Sequence, residues 1–240
     1  MTGIQLPNGI QVFERGWLSS NNILFIGAQS SALVDSGYST HAELTTGLVS
    51  AALQQGPLDL LLNTHLHSDH CGGNAVLQGN YPELQTLIPP GHASLVSSWD
   101  PVALNYVPSG QHCPRFKFDG LLLPGTEIQL ADKAWQIHAA PGHDPHSVIL
   151  FEPQSQTLIS ADALWEKGFG VVFPELEGDA AFDEVAATFD LIERLDPCWV
   201  IPGHGPVFRY RAEVLAYARA RLNALSRALT DMRTTQSRCC

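Results

Sequence analysis

The sequence predicts an α+β protein built from two β-rich halves that pack face to face, with helices on the outside. Each half repeats one order of elements: a strand that ends in an acidic residue, a helix, and a strand that leads into a histidine. The acid and the histidine are Asp35 and His65 in the first half, and Asp162 and His204 in the second. This repeat of pattern predicts that polar side chains at matching strand ends converge on one edge of the sandwich.

Short apolar runs between turn residues predict the elements of the first half. The run before His65 is almost wholly apolar and predicts a buried strand. Ser39 or Thr40 can cap the helix that follows the third strand. The predicted strands are 10–13, 23–26, 31–34 and 58–63, the first three of them antiparallel, and the predicted helices are 40–54 and 73–78.

The second half begins after a segment rich in proline and glycine, residues 98–126, which predicts a long loop. Long loops in compact domains often carry function. No low-complexity segment or linker interrupts the chain, so we expect a single domain over residues 1–240 that ends in an amphipathic C-terminal helix. The predicted strands are 135–139, 148–151, 157–160 and 199–201, and the predicted helices are 180–195 and 211–229.

Composition excludes several classes of protein. With 13 basic and 24 acidic residues, the formal net charge of −11 disfavours binding to nucleic acid or to an anionic membrane. No apolar run reaches the roughly 18–20 residues that span a bilayer, and the first residues do not resemble a secretory signal. The five cysteines are odd in number and unevenly spaced, which disfavours a disulfide framework and predicts a cytoplasmic protein.

The most informative segment is His65-Leu66-His67-Ser68-Asp69-His70, in which four of six side chains can bind a metal. In an extended chain His65 and His67 point to the same side. Neutral imidazoles and a carboxylate suit zinc, iron, manganese or nickel.

Three more potential ligands lie at predicted strand ends or tight turns. His143 follows Pro141-Gly142, Asp162 follows a strand, and His204 lies within Pro202-Gly203-His204-Gly205-Pro206. The glycines and prolines of these turns let the backbone approach a site closely. Together the segments supply five histidines and two aspartates, enough for two adjacent metals with an open position for water.

This ligand order resembles the metallo-β-lactamase superfamily, and within it the glyoxalase II-like branch. The resemblance covers about residues 20–208, and it includes Leu-Val-Asp-Ser-Gly at 33–37 and Gly-Gly-Asn at 72–74. It implies an αββα four-layer sandwich, which agrees with the two halves inferred above.

The resemblance also implies roles for single residues. His65, His67 and His143 would hold one metal, Asp69, His70 and His204 a second, and Asp162 would bridge the two. The metals are expected to be two divalent ions, zinc first, with iron or manganese as alternatives. Asp69 would also orient a metal-bridging hydroxide, the nucleophile, while Asp35 and Thr64 would fix the orientation of ligand histidines.

The expected activity is hydrolysis of a thioester, ester or lactone of a small metabolite, as in hydroxyacylglutathione hydrolases. A bridging Asp162 resembles the glyoxalase II, lactonase and phosphodiesterase branches more than true β-lactamases. Longer glyoxalase II enzymes carry a helical, glutathione-binding domain where only 36 residues follow His204 here, which disfavours a glutathione thioester. The oligomeric state stays open.

Two other functions fit the same residues. A mononuclear iron persulfide dioxygenase would use His65, His143 and Asp162, a set of ligands that activates oxygen. A metal-binding scaffold without catalysis is the least expected.

The sequence also suggests residues that contact the substrate. His146 replaces a glycine that is usual in the resembling family, and aromatic and basic residues occur in two candidate loops. Aromatic walls with one or two cations would suit an organic anion or an amphipathic ester. The candidates are His146, Trp165, Phe169, Arg115 and Lys117.

Overall fold

The computed structural model describes residues 6–16, 18–173 and 180–238, and the first half forms a six-stranded sheet. Its strands are arranged in chain order. The first three pair antiparallel and the last three continue parallel. The strands are β1 (Ile10–Phe13), β2 (Asn22–Ile26), β3 (Ser31–Val34), β4 (Leu60–Leu62), β5 (Gln85–Ile88) and β6 (Gly120–Leu121).

The second half forms another six-stranded sheet, again in chain order. Its strands pair antiparallel except for the fourth and fifth, which run parallel and are joined by a helix. The strands are β7 (Glu127–Leu130), β8 (Lys133–Ala139), β9 (Val148–Glu152), β10 (Thr157–Ala161), β11 (Trp199–Pro202) and β12 (Phe208–Arg209).

Helices cover the outer faces of the two sheets. The helices are α1 (Ala42–Ala52), α2 (Ser68–Cys71), α3 (Asn74–Asn80), α4 (Ala93–Ser98), α5 (Ala181–Leu195) and α6 (Ala212–Arg238). The first and third pack on the first sheet, and the last two pack on the second sheet. The order of layers is therefore αββα, and the predicted fold class is confirmed.

The alternation of side chains along a strand explains how each sheet fills two cores at once. Phe25 of β2 faces the second sheet, where its ring meets that of Trp135 at 5.2 Å, edge to face. Its neighbour Leu24 faces the outer helices instead. In β10, Ile159 enters the central core and Leu158 the outer one. Both faces of these strands are buried, so apolar residues occupy consecutive positions in each, Ile23–Ile26 in β2 and Leu158–Ile159 in β10.

Several short elements are missing from the sequence prediction. The strands β5, β6, β7 and β12 and the helices α2 and α4 were not expected, and β6 lies within the predicted long loop 98–126. These strands have two to four residues, too few to show a period-2 pattern. The last helix reaches Arg238 instead of 229, because no proline or glycine interrupts it.

Over the described ranges 6–16, 18–173 and 180–238, no helix has both the length and the apolar character that crossing a membrane requires.

Candidate metal centre

The histidine motif lies just past the end of β4, at one edge of the first sheet. β4 ends at Leu62, so His65 lies in a bend beyond the strand and not on it. His67 precedes the first turn of α2 in an extended conformation, which places the rings of His65 and His67 4.6 Å apart. Asp69 and His70 lie in α2 itself. The two rings are therefore brought close by the bend after β4 and the start of α2, and not by a shared face of one strand.

The second half brings its three side chains to the same edge. His143 lies in the turn between β8 and β9, Asp162 follows β10 directly, and His204 lies two residues beyond β11. A bulge shifts the register of β10 near Ala161, whose φ of 46° is left-handed. Such a conformation costs about 1–3 kcal/mol in a non-glycine residue and persists where the surroundings hold it. Here it turns Asp162 toward the histidines.

One group of possible ligands comprises His65, His67 and His143, whose nearest ring nitrogens all lie within 4.8 Å of one another. Nδ1 of His67 is 2.9 Å from Nε2 of His143. Nε2 of His67 points the other way and is 3.9 Å from Asp144. The inward nitrogens form a compact three-nitrogen group of the kind that holds zinc.

A second group comprises Asp69, His70 and His204, again with ligand atoms within 4.8 Å of one another. The closest pair is Nε2 of His204 and a carboxylate oxygen of Asp69, 3.1 Å apart. Nε2 of His70 is 3.9 Å from the same oxygen. This group adjoins the first one, because the rings of His65 and His70 are 4.0 Å apart.

Asp162 lies between the two groups. One carboxylate oxygen is 3.4 Å from Nε2 of His70. The other is 3.3 Å from Nε2 of His143 and 3.7 Å from Nε2 of His204. One carboxylate therefore reaches histidines of both groups, the position that a bridging ligand requires.

The hydrogen-bonding state of two buried histidine nitrogens shows whether the site suits metal ions. Nε2 of His65 and Nε2 of His70 are buried, and neither has a hydrogen-bond partner among the described residues. Burial without a partner is costly for a polar atom. The side chains thus fit two divalent ions, which would accept the lone pairs of Nε2 of His65 and Nε2 of His70.

Burial and neighbouring charges shift the pKa values of three of these histidines, and not all in the same direction. Burial, with His70 next in weight, lowers the pKa of His65 well below 6.5. Burial, followed by His143, lowers the pKa of His67 to about 4. At His70 burial also opposes the charge, but Asp162 and Asp35 outweigh it and raise its pKa. His65 and His67 are therefore neutral ligands at pH 7, whereas a metal must displace a proton from His70.

The two carboxylates stay ionised for a related reason. Burial would raise the pKa of Asp162, but His70 and then His143 outweigh it and hold the pKa well below 3.8. At Asp69 burial likewise opposes the charge, and His70 together with a hydrogen bond to His204 lowers the pKa. Both residues are therefore carboxylates at neutral pH.

Hydrogen bonds from outside the site fix which nitrogen of each histidine faces inward. Asp35 accepts from the Thr64 amide and hydroxyl, both at 2.8 Å, and from Nδ1 of His70, also at 2.8 Å. Because the Thr64 hydroxyl donates to Asp35, it accepts from Nδ1 of His65 at 3.1 Å. Nδ1 of His143 donates to the carbonyl of Val171 at 2.6 Å. These bonds leave Nε2 of all three histidines free for a metal.

Asn21, which nothing in the sequence singled out, joins the two halves at this edge. The Asn21 amide group donates to the carbonyls of Pro202 and Gly205, at 3.0 and 2.7 Å, on either side of His204. The Trp165 indole donates to Asp162 at 3.3 Å. A Cβ at Gly203 would collide with the Asp162 carboxylate, so only glycine fits there. Only the proline-glycine turn around His204 gave a sequence signal for any of these contacts.

A cleft of ≈ 790 Å³ opens over the five ligands His67, Asp69, His143, Asp162 and His204. Trp165 lines it, as the sequence analysis expected. The predicted long loop supplies part of the wall through Leu104, Asn105 and Tyr106. The structure therefore places a binding cavity directly above the candidate metal site.

Four of the residues suggested for the substrate pocket do not line this cleft. Phe169 is buried in the outer core, where its ring packs against Phe189. His146 packs against Gly91 and the ring of His92, because the turn after His143 directs it away from the site. Arg115 and Lys117 are exposed and lie outside the cleft, since the loop uses its earlier residues for the wall.

Comparisons with known proteins identify the family of this chain. Residues 15–204 match the family model of the metallo-beta-lactamase superfamily. The chain is 28% identical over 172 residues to a hydroxyacylglutathione hydrolase of Trichormus variabilis, a match that covers 68% of this chain and 58% of that protein. The chain thus spans little more than half the length of that relative.

Two solved structures share the fold. A beta-lactamase domain protein from Burkholderia ambifaria superposes with a TM-score of 0.74 and 21% identity, covering 92% of this chain and 76% of that one. A protein called TTHA1623, solved in a di-iron-bound form, superposes with a TM-score of 0.60 and 24% identity, covering 86% of this chain and 96% of that one.

The fold, the ligand set and the family match together define the class. The chain belongs to the metallo-beta-lactamase superfamily, whose members are typically metal-dependent hydrolases. Its histidine and aspartate groups could hold divalent metal ions.

Proposed function

We propose that this protein is a binuclear metal-dependent hydrolase that cleaves a thioester, ester or lactone of a small metabolite. The observation that carries the proposal is the pair of three-residue ligand groups with Asp162 between them. A hydroxyacylglutathione hydrolase among the relatives supports the choice of an acyl substrate.

The ligand groups assign the metals to residues. His65, His67 and His143 would hold one ion, Asp69, His70 and His204 the other, and Asp162 would bridge them. The mixture of imidazoles and carboxylates fits zinc first, with iron or manganese as alternatives. Bound together, two such ions lower the pKa of a water molecule and polarise a carbonyl group.

Asp69 is the side chain best placed to act on the nucleophile. Its side chain is 28% exposed and faces the cleft, whereas that of Asp162 is 6% exposed. Because its pKa is lowered, Asp69 is an acceptor that can hold the hydrogen of an attacking water and orient its oxygen. The Trp165 ring, 5.3 Å from that of His204, shields the same side from bulk water.

Metal content is the first test, by elemental analysis of protein purified without a chelator or a metal-binding tag. Two zinc, iron or manganese ions per chain, with hydrolysis of at least one substrate in a panel of thioesters, esters and lactones, would support the proposal. One iron per chain with oxygen uptake on glutathione persulfide would replace it with the dioxygenase function. Metal-loaded protein that hydrolyses no member of the panel would overturn it.

A further inference from the structure

The wall of the cleft differs in character from its floor. The floor consists of metal-ligand candidates, whereas most of the wall is apolar or aromatic. The wall side chains that matter here are Leu18, Leu104, Tyr106, Trp165, Val171 and Phe173.

Three of these wall residues expose large apolar surfaces near the ligands. Leu18 is 50% exposed, Val171 56% and Phe173 49%. The position of Val171 is fixed, because its carbonyl accepts the hydrogen bond from His143. Clustered exposed apolar side chains around a cavity mark a binding surface. An aliphatic chain laid along them would remove this surface from water.

The charged side chains of the cleft disfavour an anionic substrate. Among the described residues, no lysine or arginine lines it, and its carboxylates are Asp69 and Asp162. Arg15, the partly buried arginine of the first half, is bound to Asn22 and Thr45 instead. The two metal ions of the proposed function would be the cations of the floor, but an anionic group that lies along the wall would meet no cationic side chain of the described residues, in a chain of net charge −11.

Uncharged polar groups complete the wall on the side of the long loop. Asn105, Ser109 and Gln111 line the cleft there, and Gln111 is bound to Ser68 at the start of α2. Amide and hydroxyl groups recognise neutral dipoles such as esters, amides and ring oxygens.

We propose that the cleft selects an uncharged ester or lactone with an aliphatic chain, in preference to an anionic glutathione thioester. This inference rests on the proposed hydrolase function. The oxygen of water forms a bond to the acyl carbon, the acyl C–O bond breaks, and the departing alkoxide takes up a proton. The products are a carboxylic acid and an alcohol, or a hydroxy acid from a lactone.

The test compares three substrates with the metal-loaded protein: 4-nitrophenyl butyrate, 4-nitrophenyl octanoate and S-lactoylglutathione. We expect kcat/KM to rise about tenfold or more from butyrate to octanoate, since each buried methylene favours binding. We expect S-lactoylglutathione to be the poorest of the three. An equal or higher kcat/KM for S-lactoylglutathione would overturn the inference and leave the hydrolase function standing.

A matched pair of variants connects the preference to the wall. Leu18→Ser removes an apolar wall residue, and Leu44→Ser removes one of similar exposure, 57%, on α1. We expect Leu18→Ser to reduce the octanoate-to-butyrate ratio at least threefold and Leu44→Ser to leave it unchanged. Val171→Lys is the second variant, and it should raise the relative rate on S-lactoylglutathione. If neither wall variant changes substrate preference, the inference is wrong.

A binding measurement that needs no turnover distinguishes the proposed hydrolase function from the proposed preference for an aliphatic chain. 4-Nitrophenyl alkyl ketones cannot be hydrolysed, and their binding to chelator-treated protein can be measured by calorimetry. If no thioester, ester or lactone is cleaved, the hydrolase function fails, yet tighter binding of the longer ketone, weakened by Leu18→Ser, would still support the aliphatic cleft. Equal affinity for short and long ketones would overturn it.

Discussion

Two buried carboxylates lie at opposite ends of the β9–β10 pair, and their surroundings differ. Glu152 ends β9 at the turn, where it accepts hydrogen bonds from the amides of Gln154 and Ser155, both at 2.9 Å. Lys133 adds an ion pair at 3.2 Å. These partners of Glu152 are all donors of the protein itself, so the carboxylate at this end of the hairpin needs no ion to balance it.

Asp162 follows the other end of the same pair and has different neighbours. The groups around it include the Trp165 indole and four imidazoles, those of His65, His70, His143 and His204. Two nearby histidine nitrogens lack hydrogen-bond partners within the part of the chain that the structure describes. Glu152 therefore has donors that stabilise the fold, whereas the groups around Asp162 form a set that could hold metal ions.

The largest effect is expected at Asp69. Asp69→Ala should reduce kcat/KM by about 10²–10⁴-fold, because the variant loses a metal ligand and the acceptor that orients water. The free energy of unfolding of the metal-free protein should change by no more than about 1 kcal/mol, since the side chain is partly exposed.

Asp183→Ala, on the exposed start of α5, is the matched control and should retain full activity. Initial rates and chemical denaturation measure the two quantities. Turnover near the wild-type rate in Asp69→Ala would contradict the assigned mechanism.

Gly203→Ala should damage the ligand end through packing alone. The added Cβ would collide with Asp162 and lie 2.9 Å from a carbon of the His70 ring. We expect a loss of about 1–3 kcal/mol in the free energy of unfolding and weaker metal binding. Gly47→Ala has open space on the exposed side of α1, and should instead stabilise the protein by up to about 1 kcal/mol. Equal stability changes in both variants would show that the close approach is unimportant.

The sequence predicted the ligand set because most of it is local. Four candidate ligands fall within six residues, and two more follow proline-glycine turns, so their proximity needs little knowledge of the fold. The two packed β-rich halves were also predictable, since apolar runs and turn residues define β1, β3 and β10.

The cleft wall was harder to predict because loops have no periodicity. After Asp162 the chain turns back, with the Trp165 amide bonded to the carbonyl of Gly168 at 2.7 Å. That turn sends Trp165 to the cleft and Phe169 to the outer core, although both are aromatic residues of one loop. Asn21 illustrates the same limit, since its partners lie about 180 residues later in the chain.

Asp35→Asn should weaken metal binding while leaving every ligand in place. Asp35 holds Nδ1 of His70 and both donors of Thr64, and loss of such an outer carboxylate typically reduces metal affinity about 10–100-fold. Competition with a chromophoric chelator measures the change. Asp59→Asn is the control, because Asp59 similarly binds the amide and hydroxyl of Ser31 away from the site. Unchanged affinity in Asp35→Asn would contradict a role in orienting His70.

The smallest effect, on the free energy of unfolding, is expected at Glu152, at the turn end of the hairpin. Burial opposes ionisation of Glu152, but the hydrogen bond from Ser155 and those from the backbone outweigh it and lower its pKa below 4.5. A lowered pKa stabilises the folded state above pH 4.5, and that contribution is lost as the pH falls through the folded-state value. Glu152→Gln should therefore cost about 1 kcal/mol at pH 7 and less in acid, with metal content unchanged. Glu127→Gln, exposed on β7, should be neutral at both pH values, and a pH-independent loss in Glu152→Gln would instead indicate a packing defect.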